Sequence, residues 1–390
     1  MSDTPVPPPP PPPGFSPTSP AAVRRGAPWL RGTGCHADVV VSSRVRLARN
    51  LAGTPFVKKA SREHRQRVAL IAQARLQAVA STEKLAWVDL SACSQLDRTL
   101  LVERHLISKE LARGEDPRGV AISHDEQISI MVNEEDHLRL QVIRSGLELS
   151  EALAQIDALD DRLEGTTLGA SVPILADASV AGGPGGGASG LNYAFSPKYG
   201  YLTACPTNVG TGLRLSVMLH LPALKLTGEM EKMRRAARDM SLAVRGYYGE
   251  SSEAVGDFFQ ISNQTTLGKS EQALLATFAQ EIIPQVIHYE REARRKLIEK
   301  RRRMVEDQVL RALGALRYAR LLTPEEATTL LSQVRLGILA GLITDVPEQT
   351  VNQLILLTQP AHLQRVLGRE MDQGERREAR ADLVRQQLSV

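Results

Sequence analysis

The sequence predicts an α+β fold with a helical C-terminal region. Two observations carry that expectation. From about residue 36 to 275, amphipathic stretches alternate with short apolar runs bounded by turns, without the regular βαβ repeat of a doubly wound sheet. Beyond about residue 275 the pattern is almost wholly helical. At 390 residues the chain is long enough for two medium domains, and 42% hydrophobic residues can fill their cores. An aromatic content of 4% makes base stacking on single strands a poor default, so no nucleic-acid partner is expected. The formal charge of +4, from 48 basic and 44 acidic residues, permits anionic ligands without requiring them. Cys35, Cys93 and Cys205 are too widely spaced for a disulfide scaffold or a CxxC metal site. With no uncharged apolar stretch of membrane-spanning length and no signal-peptide pattern, the expected location is the cytoplasm, with no membrane partner.

Residues 5–20, PVPPPPPPPGFSPTSP, suggest an extended, poorly ordered leader. Ordered structure is expected to begin between Arg25 and His36, which gives a leader over 1–35, a body over 36–290 and a helical domain over 291–390. Within the body, 45–56 reads as a turn-bounded segment, 62–81 and 96–112 as helices, and 119–133 as two strands joined by a turn. A helix follows over about 148–164, a strand pair over 191–204 and a helix over about 226–245. The stretch GGPGGGASG (182–190) suits a tolerated surface insertion better than a mobile lid. Pro324 falls in the first turn of a helix that Thr323 can cap, with Glu326 completing a capping box. The basic run 291–303 reads as the solvated face of a long helix, ahead of protein docking or nucleic-acid contact.

Four segments combine residues with chemical potential. VNEEDHLRL (132–140) holds three acids, and SSRVRLAR (42–49) puts Arg44 and Arg46 on one side of an extended chain, a geometry suited to neighbouring phosphate oxygens. CPTNVGTGLRLSV (205–217) joins a cysteine, a glycine-containing turn and Arg214, without the GKS or GKT ending of a Walker A loop. RGYYGE (245–250) adds Arg245 and Glu250, and a later FQISN completes the set. Residue by residue, the plainer readings stay open: an acidic turn after a buried strand, a charged strand edge and a structural cysteine. Arginines 44, 46, 139, 214 and 245 would line a polyphosphate site, and Glu135 and Glu250 would receive a cation, only if the fold brings them together.

Together, NEEDH followed by Arg139, CPTNxGTGxR, and RGxxGE followed by FQISNQ resemble the catalytic domain of the phosphagen (guanidino) kinase family, most closely its bacterial protein-arginine kinase branch. The resemblance covers about residues 36–285 and extends to the helical C-terminus. It implies a mainly antiparallel sheet flanked by helices and transfer of the ATP γ-phosphoryl group, with Mg²⁺, to arginine side chains of protein substrates. Arg44 and Arg46, within Ser42, Ser43 and Val45, resemble the family's phosphate-holding segment, and His105 matches a histidine near the nucleotide. Arg139, Arg214 and Arg245 match further phosphate ligands. Leu215, Ser216, Val217 and Met218 resemble part of the adenosine and phosphate pocket, as do Gly246, Tyr247, Tyr248, Gly249 and Glu250. Glu135 and Glu250 resemble the carboxylates that orient the guanidinium, Cys205 the reactive cysteine beside it, and His137 a residue of site architecture. No dedicated protein metal cage is implied, since phosphates and water can fill most of the magnesium shell.

The branch also implies a homodimer, a zinc-containing activator protein and an AAA+ protease complex as partners. Two departures stand out: the glycine-rich insertion between Glu164 and Leu191, and ERREARA (375–381). The latter resembles a phosphoarginine-recognition segment, RDxxRA, and retains Arg376 and Arg380 but has Arg377 in place of the aspartate. The alternatives are a kinase of free arginine or another small guanidino compound, and an inactive adaptor.

Overall fold

In the computed structural model, which describes residues 17–165, 190–246 and 255–388, the apolar runs of the body pair into one antiparallel eight-stranded sheet. Its strands are β1 (Val40–Arg49), β2 (Leu85–Asp89), β3 (Gly119–Ser123), β4 (Ile128–Val132), β5 (Leu138–Ser145), β8 (Leu213–His220), β9 (Leu242–Gly246) and β10 (Phe258–Asn263). They lie in the order β2-β3-β4-β5-β1-β8-β10-β9, which puts β1 between β5 and β8. A separate two-stranded sheet joins β6 (Phe195–Ser196) to β7 (Gly200–Tyr201), all that forms of the strand pair expected over 191–204.

Because side chains alternate along a strand, the register separates two faces. Val45 lies beside Val142 and Leu215, Leu47 beside Leu140, and Ile261 beside Val217, and all are essentially inaccessible to solvent. This face packs into the main core with α2 (Arg62–Glu83) and α5 (Leu149–Glu164), through Val68, Ala72, Ala152 and Ile156. The opposite face carries arginine, serine and glutamine.

The remaining helices are α1 (Pro20–Arg24), α3 (Gln95–Glu103), α4 (Lys109–Ala112), α6 (Pro222–Leu226), α7 (Met230–Asp239), α8 (Glu271–Ala276), α9 (Ile283–Tyr318), α10 (Pro324–Leu339), α11 (Glu348–Leu357), α12 (Pro360–Leu367) and α13 (Gln373–Leu388). Among the described residues, no helix is long and apolar enough to cross a membrane.

Three local expectations are revised. Ordered chain begins earlier than Arg25: Ser19 caps α1, Pro20 fills its first turn, and Val23 packs with Leu100 and Ala361. The helix expected over 96–112 is two helices, interrupted at His105, whose φ is 60°. The helix expected over 226–245 is α6 and α7 separated by Gly228 at φ 75°, and its last residues form β9, where pairing with β10 overrides the helical periodicity. The basic run 291–303 lies on a long helix as expected, α9, which kinks at Arg301 (φ −137°, ψ 31°). The Thr323 cap forms as expected, its Oγ1 accepting the Glu326 N–H at 3.1 Å.

Two buried polar clusters seat the helical region on the body. In one, the Arg335 guanidinium of α10 donates to His220 Nδ1 (2.7 Å), the Ala37 carbonyl (2.8 Å), Glu348 (2.8 Å) and Asn352 (3.1 Å). In the other, Glu103 at the end of α3 accepts the N–H groups of Ala361 (2.9 Å) and His362 (3.0 Å) and so caps α12.

Candidate active site

Register brings the arginines together. Arg44 and Arg46 share a face of β1; Arg214 lies opposite Arg46; Arg139 lies opposite Ala48 on that face. Arg245 lies opposite Gln260, which is opposite Met218, itself opposite Ser42. All five therefore share one face of the sheet. Of the other expected nucleotide residues, Ser42, Ser216 and Met218 share that face, whereas Val45, Leu215 and Val217 point into the core. Ser43 also points away, donating to the Gly146 carbonyl at 2.8 Å and accepting the Glu148 N–H at 2.9 Å. Gly246 ends β9, buried. Tyr247, Tyr248, Gly249 and Glu250, with 182–189 of the glycine-rich stretch, lie outside the described residues.

Crowding cations on a partly buried face is unfavourable without a counter-charge. Burial, then Arg139 and Arg214, pushes Arg44 down to about 9. Burial, then Arg44, Arg139 and Arg214, also lowers Arg46, and its buried Nε has no hydrogen-bond partner among the described residues. An orphaned guanidinium N–H among mutually repelling cations fits a polyanionic ligand. Arg214 donates to Ser262 Oγ at 3.3 Å. His105 stands beside Trp29, ring centroids 4.7 Å apart, and burial with Arg44 and Lys109 pushes its pKa down to about 3, so the ring is neutral.

NEEDH forms the tight turn between β4 and β5. Asn133 takes a left-handed conformation (φ 61°), and its Nδ2 donates to the Arg65 (2.8 Å) and Pro117 (2.9 Å) carbonyls. Glu134 makes the close ion pair with Arg139, at 2.8 Å, and accepts from Ser108 Oγ at 2.7 Å. Glu135 is 3.4 Å from Arg139 and 3.9 Å from Lys58, with its side chain 30% exposed. Burial, with Asp136 and Glu134 adding to it against Arg139, raises its pKa.

Asp136 is inaccessible, and its Oδ1 accepts from Asn50 Nδ2 (2.6 Å) and the Ala204 N–H (2.7 Å). It thereby ties the acidic turn to the segment carrying Cys205, whose Sγ lies 3.0 Å from Thr207 Oγ1. Neither Glu134 as the partner of Arg139 nor Asp136 as this tie was assigned from sequence; an acid at either position is also what a solvated turn would contain. His137 accepts the Leu51 N–H on Nδ1 (3.0 Å), so its Nε2 carries the proton and donates to the Pro55 carbonyl (3.0 Å). The ring is architectural.

At the C-terminus, Arg376 donates to the Met371 carbonyl at 2.6 Å. Arg380 is buried and donates to the carbonyls of Thr358 (2.5 Å), Leu322 (2.8 Å) and Arg376 (3.1 Å), with burial pushing it down to about 10. Arg377 points to solvent.

Residues 67–293 match the ATP:guanido phosphotransferase C-terminal catalytic domain, and the chain belongs to that family, which uses ATP as phosphoryl donor. Residues 302–390 match the protein-arginine kinase McsB C-terminal domain. The protein-arginine kinase of Symbiobacterium thermophilum is 44% identical over 370 residues, covering 94% of this chain and 98% of its own. That of Pelotomaculum thermopropionicum is 42% identical over 364 residues, covering 93% and 95%. The crystal structure of a lombricine kinase superposes with a TM-score of 0.52 at 24% identity over 68% of this chain and 71% of that one, a likeness of fold. Within the family, the full-length relatives and the C-terminal match set the chain in the protein-arginine kinase branch.

Proposed function

We propose that the protein transfers the γ-phosphoryl group of ATP to arginine side chains of protein substrates. The carrying observation is the convergence of five arginines on one sheet face, one with an orphaned N–H, beside an acidic turn tied to the Cys205 segment. Arg44, Arg46, Arg139, Arg214 and Arg245 hold and neutralise the phosphate oxygens, with His105 near the nucleotide. A face of arginines repels a bare divalent cation, so Mg²⁺ would be held by the nucleotide's phosphates rather than by these side chains, and would supply further neutralisation of phosphate charge.

Arginine is a weak nucleophile because its guanidinium is protonated and delocalised. Glu135 and Glu250 grip its N–H groups and align one nitrogen with phosphorus, and Glu250 accepts the released proton. Cys205 favours the guanidinium charge and attacks nothing, since direct in-line transfer needs no cysteine intermediate. Orientation and fixed charge supply most of the acceleration.

The same reading takes a homodimer, a zinc-containing activator and an AAA+ protease complex in the cytoplasm as partners. Of the two arginines expected to hold phosphoarginine, Arg380 is buried and spent on the carbonyls of Thr358, Leu322 and Arg376, so it braces the helical region, and only Arg376 is left for that role. The test is incubation with ATP, magnesium and an unfolded arginine-rich protein, with and without the activator, scored for acid-labile phosphoarginine. Absence of transfer under both conditions refutes the proposal, and transfer to free arginine alone replaces it with a small-guanidine kinase.

A further inference from the structure

Gln141 belongs to none of the motifs that mark the site, yet it is fully buried on the arginine face of β5, opposite Arg46. Both ends of its amide are engaged. Oε1 accepts the Arg44 Nε–H at 2.5 Å, while Nε2 donates to the His105 carbonyl at 2.7 Å and to Ser129 Oγ at 3.0 Å. This orientation sets every donor against an acceptor, which the flipped amide would not. With Nε held, the Arg44 fork is fixed in direction, and its Nη nitrogens make no hydrogen bond among the described residues. A pre-aimed fork loses less freedom on gripping phosphate than a loose one.

The carbonyl that holds Gln141 belongs to a residue at φ 60°, a region non-glycine residues rarely occupy. The two residues before it are anchored in the helical region. Glu103 caps α12 and accepts from His362 Nδ1 at 2.7 Å. Arg104 donates to Glu126 at 2.9 Å, to the Gly26 carbonyl at 3.0 Å and to His362 Nε2 at 3.3 Å. The proton count closes with a neutral His362 that donates from Nδ1 and accepts on Nε2, consistent with burial lowering its pKa.

We propose that Gln141 is a positioning residue for Arg44, and that the helical region sets its geometry through His362, Arg104 and the His105 carbonyl. The inference rests on the reading of Arg44 as a phosphate ligand. It places control of nucleotide affinity in a residue of α12 that lies outside the arginine face.

The test uses the full chain and three measurements: the dissociation constant of MgATP by titration calorimetry, KM for an unfolded protein substrate, and the thermal unfolding midpoint. Gln141→Met, which keeps the volume and removes the bonds, is expected to weaken MgATP about three- to tenfold with KM for protein unchanged. His362→Ala is expected to weaken MgATP by a smaller factor, and His362→Asn, which retains an N–H towards Glu103, to recover part of that loss. In the double variant Gln141→Met/His362→Ala the two losses are expected to be less than multiplicative. Unchanged MgATP affinity in Gln141→Met overturns the positioning role, as does an equal loss for nucleotide and protein that tracks the unfolding midpoint. Multiplicative losses in the double variant, or no loss in either His362 variant, overturn the link to the helical region. Arg44→Ala separates the premises: if it binds MgATP normally, the phosphate reading itself fails.

Discussion

Glu135 and Arg214 lie at opposite ends of the proposed transfer, and their replacement separates the two jobs. Glu135→Gln keeps the shape and removes the charge facing the guanidinium, so turnover is expected to fall at least about a hundredfold with MgATP affinity nearly intact. Arg214→Ala is expected to weaken MgATP instead, and steady-state kinetics with both substrates varied checks the contrast. Asp136 is a third case, because it touches neither substrate in this reading. Asp136→Ala leaves the Asn50 amide and the Ala204 N–H without their shared acceptor, at a cost of about 1–3 kcal/mol. Turnover is also expected to drop as the Cys205 segment loses its tie; a denaturant midpoint and a rate on the same sample check both. In the sequence Asp136 is one of three consecutive acids; resemblance singled out Glu135, and the fold distinguishes Glu134, paired closely with Arg139, from Asp136, buried as a brace.

At the scale of elements, α10 fastens the helical region to the sheet through Arg335 and, beside it, Ser332, whose Oγ lies 2.8 Å from His220 Nε2. Arg335→Ala leaves buried His220 and Asn352 without their shared donor and frees the partly exposed Glu348 and Ala37 carbonyl, and a loss of about 1–3 kcal/mol in denaturant unfolding is expected. A stability within error of the parent would show the cluster to be dispensable. Local pattern made α2, α5 and the β3–β4 pair legible, because their periodicities agree with their surroundings. It did not reveal the interruption at His105, which is braced by Arg104 contacts and by Gln141 from 36 residues away. The arginine motifs were legible one at a time. Their convergence was not: the partners of Arg44 lie 97 and 172 residues away, and register across those separations is a property of the sheet. Resemblance to a known family supplied what spacing lacked.

For the whole molecule, stability should vary with pH through an acidic group remote from the arginine face. Burial, then Glu271 and Asp160, pushes Asp157 up to about 7 from an ordinary value of 3.8. A raised carboxylate binds more protons folded than unfolded across that window, so it makes stability fall as pH rises from about 4 to 7. Asp157→Asn is expected to flatten that slope and raise the unfolding midpoint at pH 7.5, measured by thermal melts across pH. A parallel profile displaced by a constant would refute the assignment. The placement of β1 has a different consequence, for biosynthesis. The strand bearing Arg44 and Arg46 leaves the ribosome before either neighbour exists, and its second neighbour ends at His220. At 5–20 residues per second that gap lasts roughly ten to thirty seconds. During that interval β1 can pair only with β5, so Arg44 and Arg46 have Arg139 on their face and still lack Arg214. The arginine face is therefore assembled from strands spread across the body, and it is complete only after β9, which carries Arg245, has been translated.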